Sequence, residues 1–239
     1  MPLLEAESVV KSFGGLIATD CVDFYIDQDE IVGLIGPNGA GKTTLFNLIS
    51  GALKPTSGAI RYEGEDITGL KPYQICRKGI ARTFQLVKLF GNMTVLENVM
   101  LASHFGMTMV PHDFDEVKNS MEFLEFVGLE GMQGVIAKEL TIANQKRLEV
   151  ARALATKPEL LLLDEFMAGL SPTEVIEAIS LIRSIRGKGI TVFMIEHVMK
   201  AIMGVSDRII ALHYGKKIGE GTPEEIAKNP KVVEVYLGT

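Results

Sequence analysis

Three short runs of the chain are apolar throughout, and each ends on a polar or glycine position. Ile31-Val32-Gly33-Leu34-Ile35 leads into Gly36, Leu160-Leu161-Leu162-Leu163 into Asp164, and Thr191-Val192-Phe193-Met194-Ile195 into Glu196 and His197. Runs with no polar alternation suit strands covered on both faces, as in a parallel sheet. Ligands of open α/β sheets collect at the carboxyl ends of strands, so these three ends are expected to converge. Helical spacing separates the runs. Residues 43–49 form one such segment. Residues 145–155 put Leu148, Ala151 and Leu154 or Ala155 on one face, with Lys146, Arg147 and Glu149 off it. Residues 172–185 carry a stripe of Val175, Ile176, Ile179 and Ile182, and Pro172 suits a first helical turn. Residues 3–64 read as strands joined by polar turns, and about 72–152 as mostly helical. The pattern predicts an α/β core with an inserted helical subdomain.

Composition adds exclusions. Of 239 residues, 47% are hydrophobic and 23% charged, which is ordinary for a soluble globular chain. The net charge of −6 argues against broad nucleic-acid binding, which draws its affinity from neutralising phosphates. Cys21 and Cys76 make neither a disulfide framework nor a four-ligand metal site, and are expected to be small buried or half-buried thiols in a reducing compartment. The opening Met1-Pro2-Leu3-Leu4-Glu5 turns polar too soon for a signal peptide. No stretch approaches the ~20 apolar residues of a membrane-spanning helix. Work at a membrane is therefore expected to take place on its surface, with other chains crossing.

The first strand opens into Gly36-Pro37-Asn38-Gly39-Ala40-Gly41-Lys42-Thr43, followed by Thr44. This fits G-x-x-x-x-G-K-[ST], a phosphate-binding loop. A triphosphate packs several negative charges into a small volume. Glycines let backbone N–H groups turn inward and approach its oxygens closely. The helix that follows presents its positive end. Lys42 adds a full charge, and the Thr43 hydroxyl can ligate Mg²⁺. The expected ligand is MgATP.

The second strand end supplies Asp164 for the hydration shell of Mg²⁺, a cation that prefers oxygen ligands and keeps several waters. Glu165, one residue on, is expected to orient or deprotonate the attacking water. His197, at the third strand end, is expected to contact the γ-phosphate and hold Glu165 and the water in line. Gln85, after Arg82-Thr83-Phe84, offers a neutral amide oxygen that can ligate Mg²⁺ or the water and release it readily. His104, His112 and His213 lack such context and read as surface or packing residues.

Together, the loop, Gln85, Asp164-Glu165 and His197 occur in the order of an ATP-binding cassette. The chain resembles the nucleotide-binding subunit of an ABC transporter over nearly its whole length. It is similar, more narrowly, to the larger ATPase of branched-chain amino acid uptake systems. The residues carrying that likeness are Phe13-Gly14-Gly15-Leu16, Ala81-Arg82-Thr83-Phe84-Gln85, Leu89-Phe90-Gly91-Asn92-Met93-Thr94-Val95-Leu96-Glu97-Asn98-Val99, Met167-Ala168-Gly169-Leu170, and a tail from Gly221-Thr222-Pro223-Glu224-Glu225-Ile226 to Tyr236-Leu237-Gly238. The resemblance implies a single nucleotide-binding domain over 1–239. That domain would be a P-loop NTPase (RecA-like) core with an N-terminal antiparallel β subdomain and the helical insertion. It implies adenine stacking on Phe13 and a coupling helix from transmembrane permease subunits, with a solute-binding protein acting indirectly. It also implies a head-to-tail pair of ATPase subunits at the cytoplasmic face of the membrane, each ATP sandwiched between one loop and the other chain's signature segment.

The sequence departs from that pattern at the signature. Where Leu-Ser-Gly-Gly-Gln is expected, the chain has Leu140-Thr141-Ile142-Ala143-Asn144-Gln145. Thr141 keeps a hydroxyl, but Ile142 and Ala143 replace glycines that serve positive φ or close approach to an anion. This favours a heterodimer with a second ATPase whose signature is intact, with harmless variation as the alternative. Phe166 and Ser171 are smaller departures, at places where proline and aspartate are common. The functional reading is an ATPase energising import of branched-chain or similar hydrophobic amino acids. The alternatives are an exporter ATPase for lipid or lipopolysaccharide, a soluble cassette outside transport, and a nucleotide-gated subunit with little turnover of its own.

Overall fold

The computed structural model describes residues 1–104 and 116–237, so His112 and the tail's Gly238 lie outside the described residues. The chain runs β1 (Leu4–Phe13), β2 (Leu16–Ile26), β3 (Ile31–Ile35), α1 (Lys42–Ile49), β4 (Ser57–Tyr62), β5 (Glu65–Asp66), α2 (Pro72–Arg77) and β6 (Ile80–Arg82). It continues through α3 (Val95–His104), α4 (Glu116–Phe126), α5 (Ile142–Ala155), β7 (Leu160–Asp164), α6 (Pro172–Arg186), β8 (Thr191–Ile195), α7 (Met199–Val205), β9 (Arg208–His213), β10 (Lys216–Gly221), α8 (Pro223–Lys228) and α9 (Pro230–Leu237). The N-terminal strands form an antiparallel sheet in the order β2-β1-β4-β5. The central sheet has the order β10-β9-β3-β8-β7-β6; it is parallel from β9 to β6, with β10 antiparallel at one edge.

The three apolar runs are the three middle strands, and their side chains divide between two cores. Ile31 and Ile35 of β3, Leu161 and Leu163 of β7, and Val192 and Met194 of β8 join the layer of helices α3 to α7. Val32 and Leu34, Leu160 and Leu162, and Phe193 and Ile195 face the layer of α1 and the antiparallel sheet. Alternate residues of a strand point to opposite faces, so a strand with both faces covered must be apolar throughout. Phe193 lies at the centre of the second layer, with its ring 5.7 Å from Phe24 and 5.0 Å from Phe46.

Helix starts follow local chemistry. At α6, Ser171 accepts from the Glu174 N–H and the Glu174 side chain returns to the Ser171 N–H, with Pro172 in the first turn. Ser171 thus serves as the cap of α6. The stripe predicted for this helix is partly wrong: Ala178, Ile182 and Ile185 are buried, whereas Ile176 is exposed. On α5 the apolar face of Leu148, Ala151, Leu154 and Ala155 is buried as expected, but Lys146 and Glu149, placed off that face, are buried too. The region 72–152 is also not helical throughout. Ile80 and Ala81 of β6 pair in parallel with Leu160 and Leu161, which puts β6 in the core sheet ahead of helices α3 to α5. Cys21 is exposed on β2 rather than buried, while Cys76 is half-buried. Among the described residues, no helix is long and apolar enough to cross a membrane.

Phe193→Ala removes a fully buried ring from between two others. It is expected to lower the unfolding free energy by about 3–5 kcal/mol, measured by denaturant titration; a loss under ~1 kcal/mol would contradict the packing described.

Candidate nucleotide-binding site

The loop between β3 and α1 is shaped by neighbours that leave no room for side chains at two of its glycines. Gly36 has φ +152°, and a Cβ there would lie 2.3 Å from the Leu212 carbonyl oxygen; Gly41 has φ +102°, and a Cβ there would lie 2.4 Å from the Ala18 oxygen. α1 begins with no side-chain cap on its N–H groups and no acidic residue in its first turn. Its positive end is therefore left free for an anion. Lys42 is buried, and its Nζ donates to the carbonyls of Gly36 at 2.6 Å and Pro37 at 3.0 Å. Burial holds the ammonium below its usual pKa, and the charges of Glu165 and Asp164 pull the other way.

These residues line a cavity of about 370 Å³. Its lining combines apolar Phe13, Leu16, Ile17 and Ala18, the loop residues Asn38, Gly39, Ala40, Gly41, Lys42, Thr43 and Thr44, and the polar side chains of Gln85, Glu165 and His197. Phe13 ends β1 and is half-exposed there, with Lys11 Nζ 5.0 Å from its ring centre. Three residues predicted from separate parts of the sequence meet at one carboxylate. Gln85 Nε2 donates to Glu165 Oε2 at 2.9 Å, and His197 Nε2 lies 2.9 Å from Glu165 Oε1. With its nitrogen engaged, the Gln85 oxygen is the end that can face a cation. Sheet register explains the meeting: Asp164 pairs with Ile195, and the Glu165 N–H donates to the Ile195 carbonyl at 2.9 Å. Glu165 has φ +53°, a left-handed conformation rare outside glycine. Such strain persists where surrounding contacts over-determine the backbone.

Asp164, next to Glu165 at the end of β7, is almost wholly buried. Its Oδ2 pairs with Arg82 Nη2 at 2.8 Å, its backbone N–H donates to Thr83 Oγ1 at 3.2 Å, and its Oδ1 has no partner. Burial pushes this carboxyl above the usual range, and Arg82 opposes the shift. Among the described residues, no cluster of three or more His, Cys, Asp or Glu side chains could hold a metal alone. A magnesium ion that arrives with phosphate oxygens needs only one or two protein ligands. The orphaned Oδ1 and the exposed Thr43 hydroxyl fit that requirement.

Several contributors were not assigned a role from sequence. Arg82, at the end of β6, binds Asp164 and also donates to Asn47 Oδ1 at 2.6 Å and Ser50 Oγ at 3.0 Å. Glu196 is buried at the end of β8; its Oε1 accepts the Met167 N–H at 2.6 Å and its Oε2 is unpartnered. Burial pushes its carboxyl up to about 7. Its position at a strand end was a usable signal, but His197 stands next to it with the more familiar chemistry.

The signature residues lie elsewhere. Thr141 caps α5, accepting the Asn144 N–H at 3.3 Å; Ile142 is exposed, and Ala143 and Asn144 continue the first turn. The concern that Ile142 and Ala143 must adopt positive φ is not met: both stand within α5 with ordinary helical backbone. None of the four lines the loop cavity.

A parallel sheet with this loop on a middle strand and a carboxylate pair at the end of a nearby strand defines a P-loop ATPase. Residues 19–168 match the ABC transporter family, and residues 216–239 match the branched-chain amino acid ATP-binding cassette transporter segment. The chain is 41% identical to the high-affinity branched-chain amino acid transport ATP-binding protein BraF of Pseudomonas aeruginosa and 42% identical to LivG of Escherichia coli, each over 99% of this chain and 98% of the relative. It superposes on the crystal structure of the ADP conformation of MJ1267, an ATP-binding cassette of an ABC transporter, with TM-score 0.91 and 32% identity over all of both chains. The dimeric structure of MJ0796, a bacterial ABC transporter cassette, gives TM-score 0.84 at 26% identity over 92% of this chain and 98% of that one. The chain belongs to the ABC transporter family, as an ATP-binding, ATP-hydrolysing cassette.

Glu196 binds its proton more tightly folded than unfolded, because burial raises its pKa from 4.5 to about 7. Its contribution to stability is therefore full below pH 4.5 and is lost as the pH rises through 7. Urea titrations across that window are expected to show stability falling with pH in the parent chain relative to Glu196→Gln. Parallel pH profiles for the two would contradict the assignment.

Proposed function

We propose that this cassette hydrolyses MgATP to drive import of branched-chain or similar hydrophobic amino acids, acting on the cytoplasmic face of a membrane that its partners cross. The convergence of Gln85 and His197 on Glu165, beside a loop built for phosphates, carries the catalytic part of this reading. Phe13 stacks on adenine. The N–H groups and Lys42 of the 36–44 loop bind the phosphates, while Thr43, Asp164 and the Gln85 oxygen hold Mg²⁺, which supplies charge neutralisation at the phosphates. Glu165 accepts a proton from the attacking water, and His197 fixes the carboxylate in line. The near-full-length similarity to BraF and LivG supports the choice of solute.

Two partner surfaces follow. A groove of about 500 Å³ among α2, β6, α3 and α5 is lined by Ile75, Arg82, Phe84, Phe90 and Leu101; we assign it to a short permease helix. Arg82 lies three residues before Gln85, so the groove adjoins the site. Thr141, Ile142, Ala143 and Asn144 present the N-terminus of α5 to the nucleotide of a second cassette. Ile142 adds side-chain bulk where glycine allows close approach, which favours pairing with a different ATPase subunit whose signature is intact.

The test is the assembled transporter in proteoliposomes. Glu165→Gln is expected to keep MgATP affinity, to lower turnover at its own site by about 10²–10⁴-fold, and to abolish ATP-driven uptake of labelled leucine. Unchanged hydrolysis in the variant rejects the glutamate's role. Hydrolysis by the parent complex without uptake of leucine, isoleucine or valine rejects the solute. Equal single-turnover rates at the two sites of the parent complex reject the asymmetric pairing.

A further inference from the structure

The polar stripe of α5 faces inward and grips both segments that meet at Glu165. Lys146 Nζ donates to the carbonyl oxygens of Glu165 at 2.9 Å, Phe166 at 3.0 Å and Ala168 at 2.8 Å. One turn further along the helix, Glu149 Oε1 accepts the Lys88 N–H at 3.1 Å. One side chain therefore holds the backbone that carries Glu165, and the other holds the chain three residues beyond Gln85. Arg152, one turn beyond, donates to the Lys88 carbonyl.

Both gripping residues are buried, Lys146 at 7% and Glu149 at 6% exposure. Charges taken out of water are costly unless they are paired and hydrogen-bonded. Packing alone would be served by apolar residues, as Leu148 and Ala151 on the same helix show. Here the ammonium saturates its three donors on the carbonyls of Glu165, Phe166 and Ala168 in one loop, a loop that Glu196 also ties down through the Met167 N–H. That loop holds Glu165 at φ +53°, a conformation that needs such outside support.

We propose that Lys146 and Glu149 are positioning residues for hydrolysis, setting the hydrogen-bonded geometry of Gln85 and Glu165 and tying it to the N-terminus of α5. This rests on the reading of Glu165 as the group that activates water. A helix rises 1.5 Å per residue, so Lys146 lies about one turn beyond Ile142 on the same rod. A shift of that end, which faces the second cassette's nucleotide, moves the anchors of this chain's own carboxylate. The two nucleotide sites are thereby linked through one helix.

The experiment compares K146M, K146R and E165Q, and the K146M/E165Q double variant, in the assembled hydrolysing complex, with MgATP affinity and turnover measured separately. K146M is expected to leave affinity unchanged and to lower kcat by about 10–100-fold. K146R, which keeps the charge and donors, is expected to restore most of it. The double variant is expected to turn over no more slowly than E165Q alone, because Lys146 acts through Glu165. If K146M does not yield folded protein, E149Q carries the same test, with lowered kcat at unchanged affinity. Full kcat in K146M, a parallel fall of affinity and kcat, or multiplied losses in the double variant would overturn the proposal. Full turnover in E165Q removes the glutamate's role and the proposal with it. An inactive E165Q beside a fully active K146M overturns the proposal alone.

Discussion

Lys42 is an ammonium buried among backbone carbonyls, at the foot of a helix whose first N–H groups have no side-chain cap. Positive charge is gathered there and left uncompensated by any acidic residue in the first helical turn. A compact anion relieves that imbalance, and the shape of the loop keeps the space for one. The tight contacts at Gly36 and Gly41 bind the loop to the chain at Leu212 and Ala18, so it cannot collapse without disturbing both sheets. The remainder of the site is arranged around whatever this loop binds.

Sheet register does that arranging. β3, β8 and β7 lie side by side and parallel, so their carboxyl ends share one edge. The Asp164–Ile195 pairing brings Glu165 to the same sheet edge as His197, whose Nε2 reaches its carboxylate, and β6, pairing beyond β7, delivers Arg82 to Asp164 and Gln85 to Glu165. Strand packing thus becomes chemistry: a shift in the β7–β8 register would separate the carboxylate from its histidine. The helical layer then ties the strand ends to α5 through Lys146 and Glu149.

Much of this was legible in the sequence because the determining signals are local. Both faces of the middle strands are covered, and that condition writes itself into unbroken apolar runs. The phosphate loop needs glycines at fixed spacing, and strand-end polar residues mark the edge where ligands gather. What was not legible depends on contacts distant in sequence. The periodicity of α5 put Lys146 and Glu149 on a polar face, and nothing local reveals that loops from elsewhere cover that face. The exposure of Ile176, the place of β6 in the core sheet, the exposed Cys21 and the Arg82–Asp164 pair likewise follow from tertiary packing. At Ile142 the glycine pattern left positive φ and close approach both open, and the plain helical backbone there leaves the second.

The central claim is that inward amides and one buried lysine grip a triphosphate. Titration calorimetry of MgATP into folded Lys42→Ala protein, with hydrolysis followed in parallel, addresses it most directly. Loss of charged hydrogen bonds is expected to weaken binding by about 10–100-fold and to abolish turnover. Parent-like affinity together with parent-like hydrolysis would contradict the account.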